Sequence, residues 1–94
     1  MAKFTTKDDE LFIDGKRVIK AWESFTGWFW FATEKAYEQK SLIEEEGVDD
    51  TIWFGFVQGL EEEWGNFSQA EIESLAPKTW PIKKIDLPYS GRRH

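Results

Sequence analysis

The sequence predicts a single small α+β domain: a mostly antiparallel, twisted sheet of about five strands with one or two packed helices. Three observations point to this class. An Asp-Gly dipeptide separates two short apolar runs, two aromatic segments are apolar on both faces when read as strands, and a helix-capping signature follows the second segment. A sheet curled toward a barrel is an open alternative. We place the domain at residues 1–87 and a basic, flexible tail at 88–94.

The composition of the 94-residue chain suits an aromatic core, because it contains six Trp and eight Phe and each large ring can bury about 150–250 Å². The absence of cysteine excludes disulfides and thiolate chemistry and favours a reducing compartment. No apolar run approaches the roughly 20 residues that span a bilayer, and the first residues lack a signal-peptide pattern. We therefore predict a cytoplasmic protein.

The first elements are a hairpin and two central strands. The runs Leu11–Ile13 and Val18–Ile19 flank Asp14-Gly15, a dipeptide that suits a type I′ turn. Residues 28–33 and 52–57 each alternate with apolar side chains on both faces. Such strands are covered above and below, so we expect them at the centre of the sheet.

Three further expectations concern the second strand, the segment before it and the segment after it. Gly55 is predicted to leave a gap in which a large ring of a neighbouring strand settles. The pattern from Glu34 to Glu46 predicts a helix that ends at Gly47. Residues 60–64, bracketed by glycines, are predicted to form a turn.

A short helix and an edge strand complete the fold. Ser68 with Glu71 three residues later is a capping box, and we expect Ile72 and Leu75 to face the sheet. Residues 79–91 are predicted to form an edge strand. The two prolines in this stretch have no backbone amide, so the stretch cannot be a central strand that pairs on both sides.

The charge is polarised along the chain, although the total is only −6. Ten acids and no Lys or Arg lie between Ser41 and Pro77, whereas five bases and one acid lie between Lys78 and His94. An acidic middle repels phosphate backbones, which disfavours direct binding of nucleic acid.

The stretch from Phe54 to Leu75 resembles an uncharacterised family of small plasmid and mobile-element proteins, domain of unknown function family 2958. The residues that carry the likeness are Val18-Ile19-Lys20, Trp28 to Glu34, Phe54-Gly55-Phe56, Gly59, Glu63, Gly65, Phe67, Ser68, Glu71, Ile72, Glu73 and Ile85-Asp86-Leu87. The chain departs from the family pattern at Trp64 and Asn66 and in a longer acidic segment before Thr51. The resemblance implies a plasmid or other mobile-element setting and no particular activity.

Catalytic chemistry finds little support in the residues. The sole histidine is His94, on the predicted tail, where nothing fixes the geometry of a general base. We predict no catalytic residue, no cofactor and no metal ligand. The pairs Glu62/Glu63 and Asp49/Asp50 leave open a small Mg²⁺-dependent enzyme, but adjacent acids are also common on the surface of any acidic protein.

The favoured hypothesis is a non-enzymatic, protein-binding module of a phage or other mobile element. Its acidic surface would engage a basic site on a host or element-encoded protein, for example by occupying the nucleic-acid site of a defence nuclease as a nucleic-acid mimic. The acidic runs are expected to converge on one face. A further alternative is an accessory subunit of a plasmid or conjugation complex that uses the basic end. Trp22, Trp64 and Trp80 are candidate exposed rings, and the predicted partner-binding residues are Glu44, Glu45, Glu46, Asp49, Asp50, Glu61, Glu62, Glu63 and Trp64.

Overall fold

A computed structural model describes residues 2–40 and 49–82 of the chain. Along the chain the elements are β1 (Phe4–Lys7), β2 (Glu10–Ile13), β3 (Lys16–Arg17), β4 (Lys20–Ser24), β5 (Phe29–Lys40), β6 (Asp49–Gln58), β7 (Glu62–Ser68), α1 (Gln69–Glu73) and β8 (Thr79–Pro81). The predicted acids Glu44, Glu45 and Glu46 and the predicted tail lie outside the described residues.

The strands form two antiparallel sheets. The first has the order β1-β2-β3, and the second has the order β7-β6-β5-β4-β8. The predicted mostly antiparallel sheet class is confirmed, but the prediction of a single sheet is wrong, because the described strands β1 to β3 form a sheet of their own beside the five-stranded one. The five-stranded sheet is open in the part of the chain that is described, with β7 and β8 as its edges, so the barrel-like alternative is not realised there.

Both faces of the five-stranded sheet are covered, as the two-sided apolar pattern predicts. One face, here called the hairpin face, packs Phe31 and Phe56 against Leu11 and Ile13 of the small sheet. The opposite face, here called the helix face, packs Trp22, Ala32 and Trp53 against Ile72 of α1. Neighbouring residues of one strand point to opposite faces, which is why residues 31 and 32 enter different cores. The central positions of β5 and β6 are confirmed.

The predicted hairpin turn at Asp14-Gly15 is confirmed. Both residues have positive φ, 51° and 82° respectively, as a type I′ turn requires. The register pairs Phe12 with Arg17 and Ile13 with Lys16. The turn therefore sets Leu11 and Ile13 on the buried side of the small sheet.

The prediction of a helix from Glu34 is wrong as far as the described residues go. β5 continues as a strand to Lys40 and pairs with β6 as far as Asp49. A helix there would leave the backbone groups at the start of β6 without partners, and that cost outweighs a weak helical preference. The pairing contains two register shifts, after Ala32 and after Lys35. At each shift β5 has one extra residue, and the pairing with β6 continues beyond it.

The expected gap at Gly55 is also wrong, because backbone and not a ring approaches this glycine. A Cβ at position 55 would lie 2.9 Å from the Cα of Ala32 and closer still to the carbonyl of Phe31. The first register shift of β5 brings this backbone close, since Gly55 pairs with Ala32 immediately before it. Glycine is therefore needed at position 55, because a side chain there would clash with the backbone of β5.

The capped helix is confirmed at its start. The Ser68 hydroxyl accepts from the backbone amide of Glu71, and Ile72 is buried. Leu75 was expected to face the sheet but is exposed, because α1 ends at Glu73 and residues 74–77 form turns. The predicted edge strand is confirmed at β8, which pairs with β4. No helix among the described residues is long and apolar enough to cross a membrane.

Candidate protein-binding site

Three consecutive acids, Glu61, Glu62 and Glu63, lie on the described surface. They lie on the hairpin that joins β6 to β7, here called the acidic hairpin (residues 58–64). All three side chains are exposed. The ion pairs of the described residues lie elsewhere, at Glu10 with Arg17 and at Lys35 with Glu38. The three carboxylates therefore have no ion-pair partner in the described part of the molecule.

The turn of the acidic hairpin is shorter than the five residues that were predicted. It covers only residues 59–61, and Glu62 and Glu63 already belong to β7. The Gly59 amide donates to the Glu61 carbonyl over 3.1 Å, and the Trp28 ring lies directly over Gly59. A Cβ there would overlap the ring, so only glycine lets the indole cover the turn.

The carboxylate of Glu62 is held by its cross-strand neighbour. The Gln58 side-chain amide donates to Glu62 Oε2 over 3.0 Å, and the two residues are register partners. Glu63 points to the opposite face, because successive side chains of a strand alternate. The acidic hairpin thus carries negative charge on both faces of the sheet edge.

Trp64 anchors the acidic hairpin and also reaches the surface. Its ring stacks on Phe54 with 5.8 Å between ring centroids and an interplanar angle of 18°. It also lies 5.4 Å from the Phe56 ring, at a tilted angle. Trp64 is half-buried, so one part of the ring belongs to the core and another part is available beside Glu62. Of the other two candidate rings, Trp80 is exposed, but Trp22 is buried and that expectation is wrong.

Asp50 has a different place from the one predicted. It is 4% exposed and lies under the start of α1, where the Ser68 hydroxyl donates to its Oδ2. The Ala70 amide donates to its Oδ1 over 2.8 Å. A carboxylate saturated in this way satisfies amides that the first turn of a helix leaves without partners. Asp50 is a structural residue and cannot contact a partner protein.

The acidic runs do not converge in the described part of the chain. Asp49 and Asp50 begin β6, whereas Glu62 pairs with Gln58 at the other end of that strand. Nine residue steps of extended chain separate the two ends, or about 30 Å. The expectation of one shared patch is therefore wrong for these residues. The backbone of Asp49 pairs with Lys40, and its side chain lies outside what is described.

Two surface hollows in the described part of the molecule are lined by charged residues other than the carboxylate pairs proposed for an enzyme. One hollow contains Glu10 and Arg17, which already pair at 3.1 Å, and a second contains Lys20 and Glu73. Neither contains Asp49, Asp50, Glu62 or Glu63. Among the described residues, no three carboxylate or imidazole side chains come together as metal ligands.

Sequence reasoning missed the residues that support the site. Gln58 orients Glu62, Trp28 covers Gly59, and Gly65 and Asn66 extend the strand beyond the acids. A signal for β7 was present, since Glu62, Trp64 and Asn66 alternate with Glu63, Gly65 and Phe67. The glycines on either side of residues 60–64 favour a longer turn, and for that reason the alternation was not interpreted as a strand.

Comparison of the chain with family models, with curated proteins and with solved structures finds no match. The resemblance to the plasmid and mobile-element family stays a prediction.

Proposed function

We propose that this protein is a non-enzymatic binding module whose acidic hairpin docks on a basic surface of another protein. The observation that carries the proposal is the set of three exposed carboxylates, Glu61 to Glu63, without an ion-pair partner among the described residues. Asp50 is buried and is not part of this binding surface, and the acidic hairpin binds without the acids of the segment between β5 and β6.

The construction of the acidic hairpin supports a binding role. The Trp28 ring over Gly59, the bond from Gln58 to Glu62 and the stack of Trp64 on Phe54 fix the backbone that carries the acids. A preorganised site loses less conformational entropy on binding than a mobile one. The carboxylates can therefore meet a cationic surface at a small ordering cost.

Electrostatics supplies the attraction and sets the class of partner. The net charge of −6 speeds encounter with a positively charged protein and lowers affinity for phosphate backbones. A protein that itself binds nucleic acid carries such a positive surface. The finer proposal, which rests on charge and on the predicted mobile-element setting, is that the partner is a host defence nuclease whose nucleic-acid site the acidic hairpin occupies.

The test compares two variants with equal changes in charge. E61Q/E62Q/E63Q removes the charge of the acidic hairpin, and E34Q/E71Q/E73Q removes three exposed charges elsewhere on the described surface. Both are mixed with purified defence nucleases from candidate hosts, and association is measured by calorimetry at two salt concentrations.

We expect the hairpin variant to lose at least about tenfold in affinity, and the control variant less than about threefold, because only close charges contribute strongly to binding. Raised salt should weaken the wild-type complex. Equal losses for both variants, or an association that salt does not change, would refute docking through the acidic hairpin.

A further inference from the structure

The outer edge of β7 has no paired strand among the described residues, so a segment of the partner could pair with it. We propose that an extended, basic segment of the partner protein adds to this edge as a new antiparallel strand. The inference rests on the proposed function, since it specifies the contact made beside the acidic hairpin. The added strand would contribute main-chain hydrogen bonds to a contact that otherwise depends on charge.

The register of the hairpin identifies which backbone groups face outward. The Gly59 amide donates to the Glu61 carbonyl, so the adjacent pair Gln58 and Glu62 is a non-hydrogen-bonded pair. The β6–β7 register then continues without a shift to Ser68. By alternation, Glu63, Gly65 and Phe67 bond to β6, whereas Glu62, Trp64 and Asn66 direct their amides and carbonyls away from the sheet.

The two edges of the sheet differ in how well they are protected. β8 is three residues long and contains Pro81, which has no amide to offer. β7 is seven residues long and contains no proline. No strand among the described residues pairs with its outer side. An edge of this length with free donors and acceptors is a template for strand addition.

The charge of the edge selects the occupant. Glu62 and Glu63 place one carboxylate on each face, so a segment with two adjacent basic residues can pair with both. A second copy of the chain brings no Lys or Arg in its own β7 and carries the same net charge. Charged edge residues discourage pairing with like chains, and here the same charges favour a cationic one.

Gly65 adds a preference for a large side chain. Apart from Gly65 itself and its two chain neighbours, no atom of the described residues lies within 4 Å of the place where its Cβ would stand, so the helix face of the edge has open space there. In an added strand, the residue opposite Gly65 is two positions from the residue opposite Glu63 and on the same face. The preferred segment therefore has a large apolar residue opposite Gly65 and basic residues opposite Glu63 and Glu62.

The first experiment uses a synthetic peptide as long as β7 with Phe opposite Gly65 and with Lys and Arg opposite Glu63 and Glu62. Amide hydrogen exchange of the full-length protein is followed by NMR with and without the peptide. We expect the outward amides of Glu62, Trp64 and Asn66 to exchange at least about tenfold more slowly with the peptide bound. The inward amides of Glu63, Gly65 and Phe67 are already bonded and should change less.

Control peptides and variants separate the two proposals. A peptide N-methylated at the residues opposite Glu62, Trp64 and Asn66 keeps its charge, but it has no amide to donate to the outward carbonyls of β7. Asn66→Pro removes one outward amide and no carboxylate. Loss of binding by the N-methylated peptide, by Asn66→Pro and by E61Q/E62Q/E63Q supports strand addition. If Asn66→Pro does not fold, the N-methylated peptide alone decides this point.

Three outcomes overturn the inference. Equal binding by the N-methylated peptide, with loss only in the charge variant, means docking by charge alone and leaves the proposed function standing. Binding that neither change affects refutes both proposals. Outward amides already protected without peptide mean that the edge is occupied, by the chain itself if the protection is independent of concentration and by a second copy if it rises with concentration.

Discussion

Acidic residues lie at both ends of strand β6, inside the strand at its start and in the adjoining turn and β7 at its end, and the two groups have opposite environments. At the first end, Asp50 is buried and accepts bonds from the Ser68 hydroxyl and the Ala70 amide. At the other end, Glu61, Glu62 and Glu63 are exposed. The difference follows from what stands nearby. The start of α1 offers amides without partners, whereas the turn at residues 59–61 offers only solvent and a cross-strand amide.

This contrast shows what decides the role of an acid in a small acidic protein. A buried carboxylate is tolerated only where donors replace its water, and the helix start supplies such donors. An exposed carboxylate costs the fold little, so its position is free to serve binding. Asp50, at one end of β6, thus stabilises the fold, whereas the acidic hairpin at the other end is the part that we propose for binding.

The largest expected effect is at the buried end. Asp50→Ala leaves the Ser68 hydroxyl and the Ala70 amide without their acceptor, and we expect it to lower the free energy of unfolding by about 2–4 kcal/mol. Asp50→Asn keeps one acceptor oxygen and should lose about half as much. Urea denaturation followed by tryptophan fluorescence measures both. A loss from Asp50→Ala no larger than that from Glu61→Gln would remove the distinction between the two ends.

Whether a feature could be predicted from the sequence depends on how far apart its contacting residues lie along the chain. The Asp14-Gly15 turn and the Ser68 cap depend on residues within four positions of each other, so local patterns predict them. Alternation predicted the central strands. The buried role of Asp50 could not be predicted in this way, because its partners lie 18 and 20 positions away. The continuation of β5 to Lys40 likewise depends on β6, and local preference alone favoured a helix.

The next effect concerns the turn at the exposed end. Gly59→Ala places a Cβ against the Trp28 ring and should cost about 1–3 kcal/mol as overpacking does. Trp28→Ala removes the obstacle, so the double variant should be less destabilised than the sum of the two single changes. Additive losses in urea denaturation would mean that the ring does not hold the turn.

A smaller effect, of opposite sign, is expected at Gly65. Its missing side chain faces open space, so Gly65→Val should raise the free energy of unfolding by about 0.5–1 kcal/mol, since glycine weakens a strand interior. The same change fills the position proposed for a partner's large residue. We therefore expect weaker binding of the Phe-containing peptide, and no loss for a peptide with Ala in place of Phe. A destabilised Gly65→Val protein would contradict the open edge.

The smallest expected effect on stability is at the acidic hairpin itself. E61Q/E62Q/E63Q should change the free energy of unfolding by less than about 0.5 kcal/mol per substitution, as surface changes away from special contacts do. The bond from Gln58 survives, because the amide introduced by E62Q keeps an acceptor oxygen at the position of Glu62 Oε2. Relief of repulsion between adjacent like charges should make any change slightly favourable, and more visibly so at low salt. A loss of several kcal/mol would show that these acids stabilise the fold as Asp50 does. The contrast between a stabilising end and a binding end of β6 would then be lost.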